Sequence, residues 1–432
     1  MLQHRGSPEP AGAFYPERAA RTLIGTRLMQ ERQTATSRIQ RAMPRWPSVL
    51  LVLLLVVAGA QAIHMTQQEG CGFPVQATPE APPRSDPPRL ILLQRRTTDV
   101  HTGRLPYLLQ ARDHIDSLPF DGFVVNIPAS WDLMKGLPIA KAEIDAWLAP
   151  LKGKFQRVNH NFVEVMIDDP GDVFDDRAWE ITVENWRRLA ASARDAGFDG
   201  IFFDNEEYKR RWLDYPEDYP GTKRSLEEYR EQTRLRGRQI MQAIVAEFPD
   251  ITLLVYHGPY LSEPKTPPEV IARQASEPDG TDLGGPLFVG FLEGLGPRAT
   301  LVDGGEVYAY RTMEDFARSY AWRKFGMASP ETDSSIIPER LRAIWPERVS
   351  IAFGVYNLPF PDDLTMTPAI MRTTLENALL AADDYVWFFT DGGNWLLPGG
   401  MPSCWYQAVR STRAAVGLPD SGSASPIASH QH

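Results

Sequence analysis

GFDGIFFDNEEY, residues 197–208, sets a short apolar run directly in front of a group of acidic side chains. The apolar residues 201–203 favour a buried parallel strand. Gly197 precedes them and is the residue type that often ends a helix, because glycine tolerates a positive φ. The segment therefore predicts a helix end, a turn and a buried strand, with Asp204, Asn205 and Glu206 at the strand's carboxyl end.

The same kind of run recurs along the chain. Runs rich in Val, Ile and Phe, each bounded by Gly, Pro or Asp, occur at 89–96, 120–131, 157–169, 198–207, 251–260, 287–295, 349–359 and 384–395. Segments with apolar residues at helical spacing separate most of them, as at 177–197, 225–249, 367–383 and 403–417. Eight strands with intervening helices predict an α/β fold, a (β/α)8 TIM barrel that forms a single catalytic domain over 89–418. An open doubly wound sheet is the alternative, disfavoured because no glycine-rich phosphate loop follows the first strand.

The segment before the barrel has the pattern of an export signal. Within residues 1–62, basic Arg41 and Arg45 precede an apolar run at 49–60, and small residues lead up to Ala62. This order is typical of a signal peptide cleaved after Ala62, which predicts a secreted or periplasmic protein with no stable membrane span. An uncleaved anchor is the alternative, disfavoured because the apolar run is short.

Two polar segments flank the predicted barrel. Residues 63–88 are rich in proline and form a predicted flexible linker, and the small polar residues 419–432 form a predicted disordered tail. The two cysteines, Cys71 and Cys404, either form one bridge or remain free thiols.

Charge limits the classes of partner. The chain has 432 residues, of which 43% are hydrophobic, and a formal net charge of −10. This composition is globular. A nucleic acid needs a basic protein surface, so the acidic balance argues against a nucleic-acid partner.

Functional residues of a (β/α)8 barrel lie at the carboxyl ends of its strands. Applied to the predicted strands, this rule gives Asp204, Glu206 and Glu293 as candidate catalytic residues. The candidate substrate-binding residues are Trp131, Asn205, Tyr256, His257, Tyr356, Asp391 and Trp395.

The spacing of Asp204 and Glu206 is informative. Side chains alternate between the two faces of a strand, so these two carboxylates share a face while Asn205 points away. Neighbouring carboxylates raise each other's proton affinity, which favours one protonated and one ionised group, as acid–base catalysis requires. A solvated strand end is the alternative for this segment taken by itself.

The segment also resembles two families of barrel enzymes. Asp199, Gly200, Asp204 and Glu206 resemble the fourth-strand motif D-G-x-D-x-D-x-E of chitinase-like glycoside hydrolases, although Phe202 replaces the middle acid. That resemblance implies Glu206 as the general acid and Asp204 as its partner. Residues 197–205 are also similar to the fourth strand of endo-α-1,4-polygalactosaminidases, which implies Asp204 as the nucleophile and a sixth-strand acid, here Glu293, as the acid/base.

The predicted function is glycoside hydrolysis of a polysaccharide or oligosaccharide, in which a carboxylate pair cleaves the bond and aromatic faces hold the sugar. A non-catalytic carbohydrate-binding barrel is the alternative. A metal-dependent hydrolase is less favoured because neither His-x-His nor His-Glu-x-x-His occurs at the expected places. Asp168, Asp169 and Asp204 remain candidates for Ca²⁺ or Mg²⁺, but no metal or cofactor is predicted.

Overall fold

The computed structural model describes residues 87–94, 105–207, 212–259, 283–330, 337–358, 365–391 and 393–418. The predicted signal peptide, the linker up to residue 86, Cys71 and the predicted tail lie outside these ranges. No helix in the described ranges is long and apolar enough to cross a membrane.

All strands of the described chain belong to one parallel sheet. They are β1 (Arg89–Gln94), β2 (Gly122–Val125), β3 (Phe162–Met166), β4 (Gly200–Asp204), β5 (Thr252–Val255), β6 (Thr300–Asp303), β7 (Val349–Ile351), β8 (Phe353–Tyr356) and β9 (Tyr385–Thr390). Their order in the sheet is β7-β6-β5-β4-β3-β2-β1-β9-β8.

The sheet closes into a barrel because its two edge strands are halves of one stretch of chain. β7 pairs with β6, and β8, which follows after Ala352, pairs with β9. A bridge between Glu306 and Gly354 adds a second link across this junction. Counting β7 and β8 as one interrupted strand leaves eight parallel strands, so the prediction of a (β/α)8 TIM barrel is confirmed.

Helices connect the strands and cover the outside of the barrel. They are α1 (Leu105–Gln110), α2 (Arg112–Ile115), α3 (Lys141–Leu148), α4 (Asp176–Ala196), α5 (Leu226–Glu247), α6 (Gly284–Gly294), α7 (Met313–Ala321), α8 (Glu339–Arg342), α9 (Trp345–Arg348), α10 (Pro368–Ala381) and α11 (Ser403–Ala415). The predicted helical segments coincide with α4, α5, α10 and α11 to within two residues at either end. Gly197 ends α4 with a φ of 79°, Ser225 caps α5, and Thr367 caps α10.

Alternate residues of the strands pack on opposite sides of the sheet. The side chains that fill the barrel include Ile91, Val124, Phe162, Phe202, Leu254, Val302, Ala352 and Trp387. Their neighbours in sequence face the helices and include Leu92, Phe123, Val163, Phe203, Leu253, Leu301, Phe353 and Phe388. This alternation fixes which residues at the strand ends turn towards the barrel mouth.

The prediction of a sixth strand at 287–295 is wrong. Those residues belong to α6, which packs against α5 through backbone contacts at Gly237 and Gly290. The sixth strand is instead β6, four residues that begin at Thr300. A helix buried in this way is apolar on nearly every face, so its sequence is difficult to distinguish from that of a buried strand.

Candidate active site

Asp204 and Glu206 occupy the carboxyl end of β4. Asp204 has the same strand parity as Phe202, which lies inside the barrel. Its side chain is 0% exposed, and its Oδ1 accepts a hydrogen bond of 2.9 Å from the backbone N–H of Glu206. Glu206 is more open, with 31% of its side chain exposed. Asp204 therefore fixes the backbone that carries Glu206.

Asn205 joins the ends of β4 and β5. Its Nδ2 donates to the carbonyl of His257 at 3.1 Å, and its Oδ1 accepts from the backbone N–H of His257 at 3.0 Å. The side-chain amide, predicted above to bind substrate, is thus engaged with the protein backbone. This two-way hydrogen bond holds His257 beside Glu206.

Glu306 completes the group at His257 and was missed by the sequence prediction. It lies three residues beyond the end of β6, and its carboxylate reaches the same histidine. The Nε2 of His257 is 3.6 Å from Glu206 Oε1 and 3.4 Å from Glu306 Oε2. One ligand atom of each of these three side chains lies within 4.8 Å of the other two. The ends of β4, β5 and β6 therefore build one site, here called the Glu–His–Glu cluster.

The charge of the cluster is set by competition between burial and the two carboxylates. Burial lowers the pKa of His257, but the hydrogen bonds and negative charges of Glu206 and Glu306 outweigh it. As a result the pKa of His257 lies well above its ordinary value, and the ring is protonated at neutral pH. His257 thereby offsets part of the repulsion between the two carboxylates.

An aromatic group borders the cluster. The Tyr308 ring packs 4.9 Å from Tyr356 and 5.9 Å from Phe389, centroid to centroid, and Tyr356 stacks on Phe389 at 4.8 Å. Burial, followed by the charge of Glu306, holds the pKa of Tyr308 well above its ordinary value. Its hydroxyl therefore stays protonated. Tyr356 and Phe389 are partly exposed, and the Tyr356 hydroxyl lies 3.5 Å from Asp391 Oδ2.

The other predicted aromatic residues differ in their surroundings. Tyr256 is buried inside the barrel, edge-on to Phe202 and Trp387. Trp131 follows β2 and is partly exposed. Trp395 is 0% exposed and packs with the outer core against α11. The prediction that Trp395 faces the substrate is therefore corrected, because the loop after β9 turns this ring away from the mouth.

Glu293 lies outside the cluster. It belongs to α6, and its carboxylate forms ion pairs with Arg234, Arg238 and Arg340 on the outer helices. Its predicted role as an acid/base depended on a sixth strand at 287–295, and that strand does not exist. This prediction is corrected: Glu306 is the acidic residue that follows the sixth strand.

The remaining acids near the mouth have local partners. Asp168 Oδ2 lies 3.6 Å from Lys135 Nζ, and Asp169 Oδ1 accepts from the N–H of Gly171. Among the described residues, the Glu–His–Glu cluster is the group whose ligand atoms converge for a metal, and neither Asp168 nor Asp169 is part of it. Inside the barrel, Glu164 accepts a hydrogen bond of 2.7 Å from Asn126.

Sequence signals existed for two of the residues that were missed. Thr300–Asp303 is a short β-branched and apolar run, and it is followed by two glycines and then Glu306, which is the pattern of a strand end. Glu164 stands alone as a charge within an apolar strand. A buried charge at such a position points to a polar partner, which here is Asn126 at the end of the neighbouring strand β2.

No family model and no curated protein matches the sequence. Among solved structures, a GH5-4 broad specificity endoglucanase from an uncultured bacterium is 10% identical, with 82% of this chain and 95% of that chain covered and a TM-score of 0.43. A GH18 chitinase from Pseudoalteromonas aurantia is 13% identical, with 74% and 99% covered and a TM-score of 0.38. A 3-keto-D-glucoside 4-epimerase from E. coli is also 13% identical, with 75% and 98% covered and a TM-score of 0.35. Structural similarity at this level does not identify a reaction for this chain.

Proposed function

We propose that this protein is an exported glycoside hydrolase that acts on a polysaccharide or oligosaccharide through Glu206 and Glu306. The observation that carries the proposal is the approach of these two carboxylates, whose nearest ligand atoms lie within 4.8 Å of each other at the barrel mouth. Retaining glycosidases hold their two carboxyl groups about 5–5.5 Å apart, whereas inverting enzymes need roughly 6.5–9.5 Å. Because an oxygen atom of each carboxylate lies within 4.8 Å of the other, below the inverting range, we infer a retaining reaction.

Exposure suggests how the two roles divide. Glu206 is 31% exposed and Glu306 is 18% exposed. In a retaining reaction the nucleophile attacks the anomeric carbon while the acid protonates the departing oxygen. The acid then removes a proton from the water that releases the sugar, so it needs access to solvent. We assign Glu206 as the acid/base and Glu306 as the nucleophile.

His257 and Asp204 support these groups. Protonated His257 lies 3.6 Å from Glu206, close enough for its charge to stabilise the Glu206 carboxylate after the leaving group has taken the proton, until the attacking water returns one. Asp204 holds the backbone of Glu206 and has no exposed surface. We therefore assign Asp204 a positioning role, in place of the nucleophilic role that its sequence motif implies.

The partly exposed aromatic rings beside the cluster suit a sugar. Tyr356 and Phe389 stack next to Tyr308, and Trp131 lies on the same rim. Aromatic faces bind the apolar C–H faces of sugar rings, while Asp391 offers a hydrogen-bond acceptor beside Tyr356. A carbohydrate is therefore the substrate class that this rim fits best.

A screen against a panel of polysaccharides and aryl glycosides tests the assignment. Glu206→Gln and Glu306→Gln are each expected to lower kcat/KM on polysaccharide at least about 100-fold, the usual contribution of such a group. Asp204→Asn retains an acceptor oxygen and is expected to lose about tenfold. Glu180→Gln, on the exposed face of α4, is the matched control.

Aryl glycosides with good leaving groups separate the two roles. They need no protonation, so Glu206→Gln is expected to form its glycosyl-enzyme rapidly on them, whereas Glu306→Gln stays inactive. If both variants hydrolyse polysaccharide at the native rate, Glu206 and Glu306 are not the catalytic pair. Absence of hydrolysis by the native protein across the panel would favour a non-catalytic carbohydrate-binding barrel.

A further inference from the structure

We propose that the Glu–His–Glu cluster binds a single divalent transition-metal ion, with Zn²⁺ the best fit, and that the bound ion blocks the carboxylate pair. The binding of the ion rests on geometry alone. Only the inhibitory effect rests on the proposed glycosidase function.

The distances at His257 match those of a tetrahedral metal site. Zn²⁺ bound at about 2.0–2.2 Å to nitrogen and oxygen ligands in a tetrahedron sets neighbouring ligand atoms about 3.4 Å apart. Glu306 Oε2 and Glu206 Oε1 lie 3.4 Å and 3.6 Å from His257 Nε2. Two edges of the tetrahedron are therefore already formed, and the third, between the two carboxylate oxygens, spans no more than 4.8 Å.

The ligand types narrow the choice of ion. Ca²⁺ and Mg²⁺ prefer sites made of oxygen atoms, while an imidazole nitrogen with two carboxylates suits Zn²⁺ and similar ions. The cluster supplies one nitrogen and two carboxylate ligands and leaves a fourth position open. Its members are partly exposed, at 15% for His257, so an ion can reach them from the cleft.

The framework holds the ligands in place before any ion binds. The hydrogen bonds between Asn205 and the backbone of His257 fix the end of β5 to the end of β4. The bridge between Glu306 and Gly354 fixes the segment after β6. Ligands on rigid strand ends lose little conformational freedom on binding, which raises affinity.

An ion in this position is expected to inhibit hydrolysis. It would take up the lone pairs of Glu206 and Glu306, which the proposed reaction needs for attack and for proton transfer.

Binding is tested on full-length protein that has been treated with EDTA and dialysed. We expect one Zn²⁺ per chain by elemental analysis and chelator competition, and Co²⁺ in its place should give the visible absorption of a tetrahedral site. Glu306→Gln and His257→Gln are each expected to raise the Kd for Zn²⁺ at least tenfold. The exposed substitution Glu180→Gln and a double change of the tail residues His430 and His432 to Gln should leave it unchanged. Circular dichroism checks that each variant is folded.

The outcomes separate this inference from the proposed function. A native protein that binds no stoichiometric Zn²⁺, or variants that bind it as tightly as native, would overturn the metal site. Hydrolysis that falls with Zn²⁺ and recovers with EDTA supports both proposals. Stoichiometric binding without hydrolysis supports the site and rejects the glycosidase. Hydrolysis that requires the metal supports the ion's binding but overturns its inhibitory role and the two-carboxylate mechanism.

Discussion

At the scale of single residues, three carboxylates that are close in sequence have three different surroundings at the end of β4. Asp204 is buried and holds a backbone N–H, while Glu206 opens towards the mouth and contacts His257. Glu207 turns into the following loop, where its Oε1 accepts from the N–H groups of Trp212 and Leu213 at 2.6 Å and 3.1 Å. The three acidic residues therefore have separate roles: Asp204 positions the backbone, Glu206 belongs to the proposed chemistry, and Glu207 holds the following loop.

Glu207 makes the stability of the fold depend on pH. Burial raises its pKa to about 8, against the lowering effect of the two backbone hydrogen bonds. Because the folded pKa lies above the unfolded one, the stabilisation is complete below the ordinary value of 4.5 and is lost as the pH rises towards 8. Glu207→Gln keeps an acceptor oxygen and removes the charge. We expect its free energy of unfolding to exceed that of the native protein by about 1–3 kcal/mol at alkaline pH.

Urea unfolding at about pH 5 and about pH 9 measures this difference. The gain from Glu207→Gln should be small at the lower pH and large at the higher one. Glu180→Gln, which is exposed, should give a difference that does not change with pH. A pH-independent difference for Glu207→Gln would mean that the buried carboxyl does not titrate in this range.

At the scale of elements, the sequence predicted most strands because each one is a local pattern. The end of β4 was predicted with its carboxylates, and the end of β5 with His257, since the apolar run and the polar residues after it are adjacent. Glu306 was missed because β6 is only four residues long and the preceding helix carries the stronger apolar run. Trp395 was misplaced because the direction of a loop depends on packing across the barrel. The local sequence pattern thus predicts where strands end. The identity of the residue that pairs with Glu206 becomes known only from the closed sheet.

Helix α6, which was predicted as a strand, packs closely against α5. A Cβ on Gly290 would lie 2.2 Å from the carbonyl oxygen of Arg234, and one on Gly237 would lie 2.2 Å from that of Leu287. The two helix backbones therefore touch. Gly290→Ala raises helix propensity by about 1 kcal/mol, but it forces the helices apart and should destabilise the fold by about 1–3 kcal/mol net.

Thermal and urea unfolding of Gly290→Ala show whether the substitution raises or lowers the free energy of unfolding. Gly296→Ala is a matched control two residues beyond the end of α6, because the nearest atoms to its added methyl belong to the Val245 side chain, at 3.4 Å or more. We expect that control to unfold at nearly the native temperature. A Gly290→Ala protein as stable as the native one would show that the helices can separate without cost.

At the scale of the whole molecule, a buried cation, Arg323, links the strands where the barrel closes. Arg323 follows α7, and its Nε donates to Asp303 Oδ2 at 2.9 Å at the end of β6. Its Nη1 donates to the carbonyl of Ala352 at 2.9 Å, where β7 gives way to β8. The guanidinium thus links β6 to the interrupted strand β7–β8. Its contact on β6, Asp303, lies three residues before Glu306. Closure of the sheet and placement of the proposed nucleophile share this contact.

Removing one member of this pair should be worse than removing both. Arg323→Met leaves the carboxylate of Asp303 buried without its cation, which costs about 3–5 kcal/mol in the free energy of unfolding. The double variant Arg323→Met with Asp303→Leu buries no charge and is expected to recover part of that loss. Urea unfolding measures the native protein, the single variants Arg323→Met and Asp303→Leu, and the double variant. Arg298→Met, which breaks an exposed pair with Asp250, should cost about 1 kcal/mol or less. Losses that simply add in the double variant would mean that the two side chains stabilise the barrel independently, and that their ion pair does not couple β6 to the interrupted strand.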